Sequence, residues 1–165
     1  MPNHVHLLAV PRSEDGLARA IGEAHRRYTR MVNFREGWRG YLWQGRFSSF
    51  VVDGDYVLAT ARYIELNPVR AFLVERPEDY EWSSARVHMK GRSDVLAGSR
   101  YLLKLVNDWR IFLEGGLEER HAQVISSHEH TGRPLGAVVF IEQLERTLNR
   151  HLTKNRPGPK KNVAQ

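Results

Sequence analysis

The chain contains no cysteine. That absence excludes disulfides and thiolate metal sites. It also lacks any run of 18 apolar residues, so no membrane span is expected. No charged-then-apolar leader opens it, so nothing in it directs secretion. A cytoplasmic address is the default expectation. Apolar residues make up 41% of the 165, enough for one domain with a real core and a small appendage.

Acidic residues are missing from the C-terminal stretch. Lys154, Arg156, Lys160 and Lys161 all follow residue 150 with no acid among them, so the net charge of +6 falls to about +2 over the first 150 residues. Global charge is therefore a weak pointer to nucleic acid. Local clustering is a better one. In HRRYTRMVNFREGWRGYLWQGRF, Arg26, Arg27, Arg30, Arg35, Arg39 and Arg46 recur among aromatics. Phosphates and unstacked bases both find partners on such a surface. A solvated helix face with a basic loop is the plainer reading of the same residues.

Periodicity gives a coarse map. HVHLLAV alternates in period two and predicts a strand, with Val5 anchored in the core opposite His4 and His6. LARAIGEAHRRYTRMVNF predicts a helix with Leu17, Ile21, Ala24, Tyr28, Met31 and Val32 on its apolar stripe. WQGRFSSFVV, rich in aromatic and β-branched residues, predicts a strand. Asp53 or Asp55 is a plausible cap for the helix YVLATARYIELN. In that helix Val57, Leu58, Ala61 and Ile64 form a face for packing on a sheet. Tyr63 and Asn67 stand four apart on the opposite side, and Pro68 is expected to stop the helix. One or two short helices are expected over 95–114. SSHEHTGRPLG reads as a polar break, and a last amphipathic helix, VVFIEQLERTLNRHL, follows it.

Two features carry chemistry. On a strand, residues i and i+2 share a face, so His4 and His6 can converge on one divalent ion, which then needs a third ligand. An isolated H-x-H is more often a pair of half-exposed histidines. A lone tyrosine is usually structural too, but a positioned phenol beside a metal can act as a covalent nucleophile. The amide oxygen of Asn67 is a candidate third ligand, which brings Tyr63 to the same place.

Taken together, MPNHVHLL, WQGRFSSFVVD, ARYIELNPVRAFLVERPEDYEWSSAR, GRSDVL and TGRPLG with the basic tail resemble the REP-associated tyrosine transposases. These are a branch of the single-tyrosine HUH (IS200-like) transposases. The resemblance implies a metal site at His4 and His6 with Asn67 as third ligand, binding Mg²⁺ or Mn²⁺. It implies Tyr63 as the nucleophile that cleaves and rejoins single-stranded DNA through a 5′-phosphotyrosine, at repetitive palindromic hairpins. Arg26, Arg27, Arg30, Arg46, Lys160 and Lys161 are DNA contacts by position. A homodimer is left open.

The same resemblance implies an α+β fold, a ferredoxin-like antiparallel sheet with helices on one face. In that family a strand–helix–strand stretch precedes MPNHVHLL, so the expectation is an N-terminally truncated domain that is inactive, or much less stable than the family norm. Its division is a catalytic domain at 1–90, a helical appendage at 91–153 and a basic disordered tail at 154–165. The competing function is a catalytically inactive DNA-binding relative. His128-Glu-His130, a second H-x-H, reads as a solvated loop. Glu65 and Asp53 are weaker metal candidates, and Trp38, Trp43 and Trp82 are weaker base-stacking candidates.

Overall fold

The structure, a computed structural model, describes residues 1–90 and 100–154. Seven α-helices lie in them: α1 Gly16–Glu36, α2 Gly54–Arg70, α3 Ala85–Met89, α4 Arg100–Leu105, α5 Trp109–Glu114, α6 Glu119–Thr131 and α7 Val138–Leu148. A 3₁₀ turn spans Pro77–Asp79. The two short helices expected over 95–114 are α4 and α5. Lys160, Lys161 and the segment GRSDVL lie outside the described residues.

The expected ferredoxin-like sheet is not there. Among the described residues no strand ladder forms, and the only β pairing is one parallel bridge between Val52 and Leu135. A strand needs a neighbour to take up its N–H and C=O groups. HVHLLAV alternates as a strand should, yet no described segment pairs with it, and Val5 is 66% exposed instead of anchored. WQGRFSSFVV is likewise irregular. Its backbone is tied down at its end, where Leu135 N–H donates to Val51 O and Asp53 N–H to Leu135 O, each at 2.8 Å.

Helix α2 organises the molecule. Val57, Leu58 and Ala61 do face apolar partners, but these are helices: Ala85 on α3, Leu102 on α4, and Trp109 and Leu113 on α5. Its other side is covered too. Tyr63 packs with Ala122 and Ile125 of α6 and with Leu135, and Ile64 joins this second cluster rather than the first. Tyr63 is therefore 8% exposed, where its phase predicted a side away from the core. Glu65 lies between the layers, accepting from Ser84 Oγ at 2.5 Å, His88 Nδ1 at 2.6 Å and Trp109 Nε1 at 2.5 Å. Three donors on a buried carboxylate satisfy it in the core and account for its placement.

Pro68 does not stop α2, which runs on to Arg70. Proline lacks only its own N–H, and the turn is closed by Ala71 N–H to Asn67 O and Leu73 N–H to Pro68 O, both 2.9 Å. Phe72, at φ 56°, then turns the chain away. Asp53 stands at the N-cap of α2, but its carboxylate accepts from Ala137 N–H at 3.2 Å. Gly136 makes that approach possible, since a Cβ there would lie 2.6 Å from Asp53 Cβ. SSHEHT is the last part of α6, not a break; Gly132 closes the helix in the left-handed region at φ 65°.

Candidate functional site

The sequence places two histidines and a tyrosine–asparagine pair 57 or more residues apart, and the structure brings them together. Asn67 stands one turn beyond Tyr63 on α2. Its amide Nδ2 donates to His6 Nε2 at 2.8 Å, so the N-terminal segment is pinned to the helix by the site itself. His4 Nε2 lies 3.0 Å from His6 Nε2. The Tyr63 and His6 rings meet edge-on, with centroids 5.8 Å apart.

The hydrogen bonds around the rings assign their tautomers. His6 Nδ1–H donates to Glu129 Oε1 at 2.9 Å, and His4 Nδ1–H donates to Asn3 Oδ1 at 2.7 Å. Both Nε2 atoms then face one another at 3.0 Å beside the Asn67 amide, an arrangement that accommodates a proton or a cation between them. Two donors at right angles about an ion, each about 2.1 Å from it, stand about 3.0 Å apart. Turning the Asn67 amide over would put its oxygen against the same point. A carboxylate holding the far nitrogen of a ligand imidazole is the usual outer-shell partner of a metal site. Desolvation within the cluster, and then the adjacent His6 ring, hold His4 below the ordinary histidine range. The donor set thus fits a divalent cation. It depends on an amide, because among the described residues no group of three His, Cys, Asp or Glu side chains is arranged around a metal.

Tyr63 completes the cluster. Its hydroxyl donates to Glu129 Oε2 at 3.2 Å. Burial, and then the Glu129 charge, raise the phenol above its ordinary value, so it is protonated at neutral pH. Tyr63 and Asn67 also line an open cleft of about 510 Å³ between α2 and α6, with Arg70, Gln123, Ser126, Ser127 and His130 on its walls. Arg70 is engaged by Glu119 at 3.0 Å.

Glu129 is the residue that sequence reasoning missed. In the sequence it stands only as the middle of His128-Glu-His130, within a polar stretch. The available signal was helical: Ala122 and Ile125 fall on one face, and Gly132 supplies a stop.

The arginines form a separate surface. Arg26, Arg27, Arg30 and Arg35 line a shallow, open groove along α1 together with the exposed Met31 and Phe34. Arg26 and Arg27 share Glu23, at 2.8 and 2.7 Å, and Arg26 first, then Arg27, pull its carboxyl down to about 2. Arg46 is exposed in the connection to α2. Trp43 stacks on His25 with centroids 3.9 Å apart, whereas Trp38 and Trp82 are exposed.

The fold and this cluster define a helical protein with a histidine–asparagine–tyrosine site. Residues 1–67, which hold all four of these side chains, match the family model described as Transposase IS200 like. The match supports the transposase family and covers 67 of the 165 residues. No curated protein and no solved structure shows significant similarity to the chain. Among the described residues, no helix is long and apolar enough to cross a membrane.

Proposed function

We propose that the chain is a single-tyrosine transposase that cuts and rejoins single-stranded DNA at repetitive palindromic hairpins. The observation that carries this reading is the convergence of His4, His6, Asn67 and Tyr63, all from the segment that matches IS200-like transposases. His4, His6 and Asn67 would hold Mg²⁺ or Mn²⁺, which when bound draws electron density from the scissile phosphate. Tyr63 attacks phosphorus through its phenolic oxygen and keeps the 5′-phosphate, leaving a free 3′-hydroxyl. The α1 groove follows the strand, arginines meeting phosphates and Phe34 meeting an unpaired base.

The test is a covalent adduct with a hairpin-bearing single strand in Mg²⁺ or Mn²⁺. The expected result is a denaturation-resistant protein–DNA band that Tyr63→Phe abolishes. An adduct of undiminished yield in the variant contradicts the assignment. Hairpin binding that persists without any adduct in the wild-type chain indicates the inactive DNA-binding relative instead.

A further inference from the structure

Glu129 bridges the two halves of the site. One carboxylate oxygen takes the His6 Nδ1–H at 2.9 Å and the other takes the Tyr63 hydroxyl at 3.2 Å. Its backbone is held from several directions. Ser48 Oγ donates to its carbonyl at 2.9 Å, the neighbouring His128 Nδ1–H donates to Arg133 O at 2.8 Å, and Ala122 and Ile125 anchor α6 against the Tyr63 ring. The carboxylate is therefore delivered to the phenol by an element rigid enough to keep it there. It remains partly open to solvent, with its side chain 25% exposed, beside the cleft that the phenol lines.

We propose that Glu129 is a catalytic residue of this site, accepting the Tyr63 proton through Oε2 while Oε1 holds His6 in its Nδ1–H form. The proposal rests on the reading of Tyr63 as nucleophile. As the bond from the phenolic oxygen to phosphorus forms, the phenol proton passes to Glu129. The bond from phosphorus to the 3′ oxygen breaks, and that oxygen takes a proton from water. In rejoining, a 3′-hydroxyl attacks the phosphotyrosine and gives its proton to water, and Glu129 returns its own to the Tyr63 oxygen. Through His6 the same carboxylate acts as a positioning group, keeping the Nε2 lone pair directed at the point shared with His4.

The test measures single-turnover adduct formation by the full chain on a hairpin-bearing strand in Mn²⁺, beside hairpin affinity and the ring ¹⁵N spectrum of His6. Positioned proton transfer contributes roughly 10²- to 10⁴-fold. Glu129→Gln, which keeps the shape and loses the base, is therefore expected to slow adduct formation at least ~100-fold, with hairpin affinity within about twofold. Glu129→Asp, which keeps the base and loses the shape, is expected to recover part of that rate. Equal rates in the two variants, or a Gln variant within about threefold of wild type, overturn the proton-transfer role. For the metal-free chain, Glu129→Ala is expected to move His6 out of the pure Nδ1–H form, and an unchanged spectrum overturns the positioning role. A wild-type chain that forms no adduct sinks the reading of Tyr63 and the proton transfer with it, while the His6 spectra still judge the positioning contact.

Discussion

Helix α2 buries Thr60, Ala61, Tyr63, Glu65 and Pro68, whereas the longer α1 buries only Val32. Both are amphipathic, so an apolar stripe alone does not explain the difference. What separates them is cover. α2 packs against α5 on one side and α6 on the other, and Glu65 fixes α3 and α5 to it through three hydrogen bonds. α1 is held mainly by Trp43, whose indole donates to His25 O at 3.3 Å, and by Asn33, which donates to Gly40 O. Tyr28, Met31 and Phe34 stay open to solvent among the arginines. Under the proposed function, the covered helix is the platform for the reacting groups and the open one is the surface that meets DNA.

This contrast can be broken most severely at the layer that covers α2. Trp109→Ala removes a buried ring and one of the three donors to Glu65, and is expected to cost about 3–5 kcal/mol in denaturant unfolding. A loss below about 1 kcal/mol would mean that α5 does not hold α2. On the other side, Ile125→Ala is expected to cost about 2–5 kcal/mol and to expose Tyr63, read as increased quenching of its fluorescence. On α1 the expectation reverses. Phe34, 92% exposed, should tolerate Ala within about 0.5 kcal/mol, while single-strand affinity falls. Replacing Arg26, Arg27 and Arg30 by Ala should leave the fold intact and lower the slope of log affinity against log salt by about 2, at about 0.7 per phosphate contact. An unchanged slope would separate the groove from DNA binding.

The legible part of the site was its spacing. Tyr63 and Asn67 are four apart on a helix, and His4 and His6, two apart on an irregular segment, meet at 3.0 Å. The sheet did not survive, because alternation in HVHLLAV and WQGRFSSFVV reports two-sidedness and says nothing about a pairing neighbour. The burial of Tyr63 was hidden for a related reason. Helical phase separates it from Ala61, but only tertiary packing supplies α6 as a second cover. Glu129 was hidden by the polar run at residues 126–131, where the apolar signal of α6 has already ended at Ile125. Pro68 misled because a proline in the last turn removes a single bond that the following residues replace.

The central claim is that the N-terminal segment and α2 together form one metal-and-tyrosine site. Titration of the chain with Mn²⁺, followed by electron paramagnetic resonance, tests it most directly. The account predicts one ion per chain, with affinity lowered at least ~10-fold by each of His4→Ala, His6→Ala and Asn67→Ala. Binding that ignores Asn67→Ala while responding to the histidines would contradict it, because the segment and the helix would then not share a site.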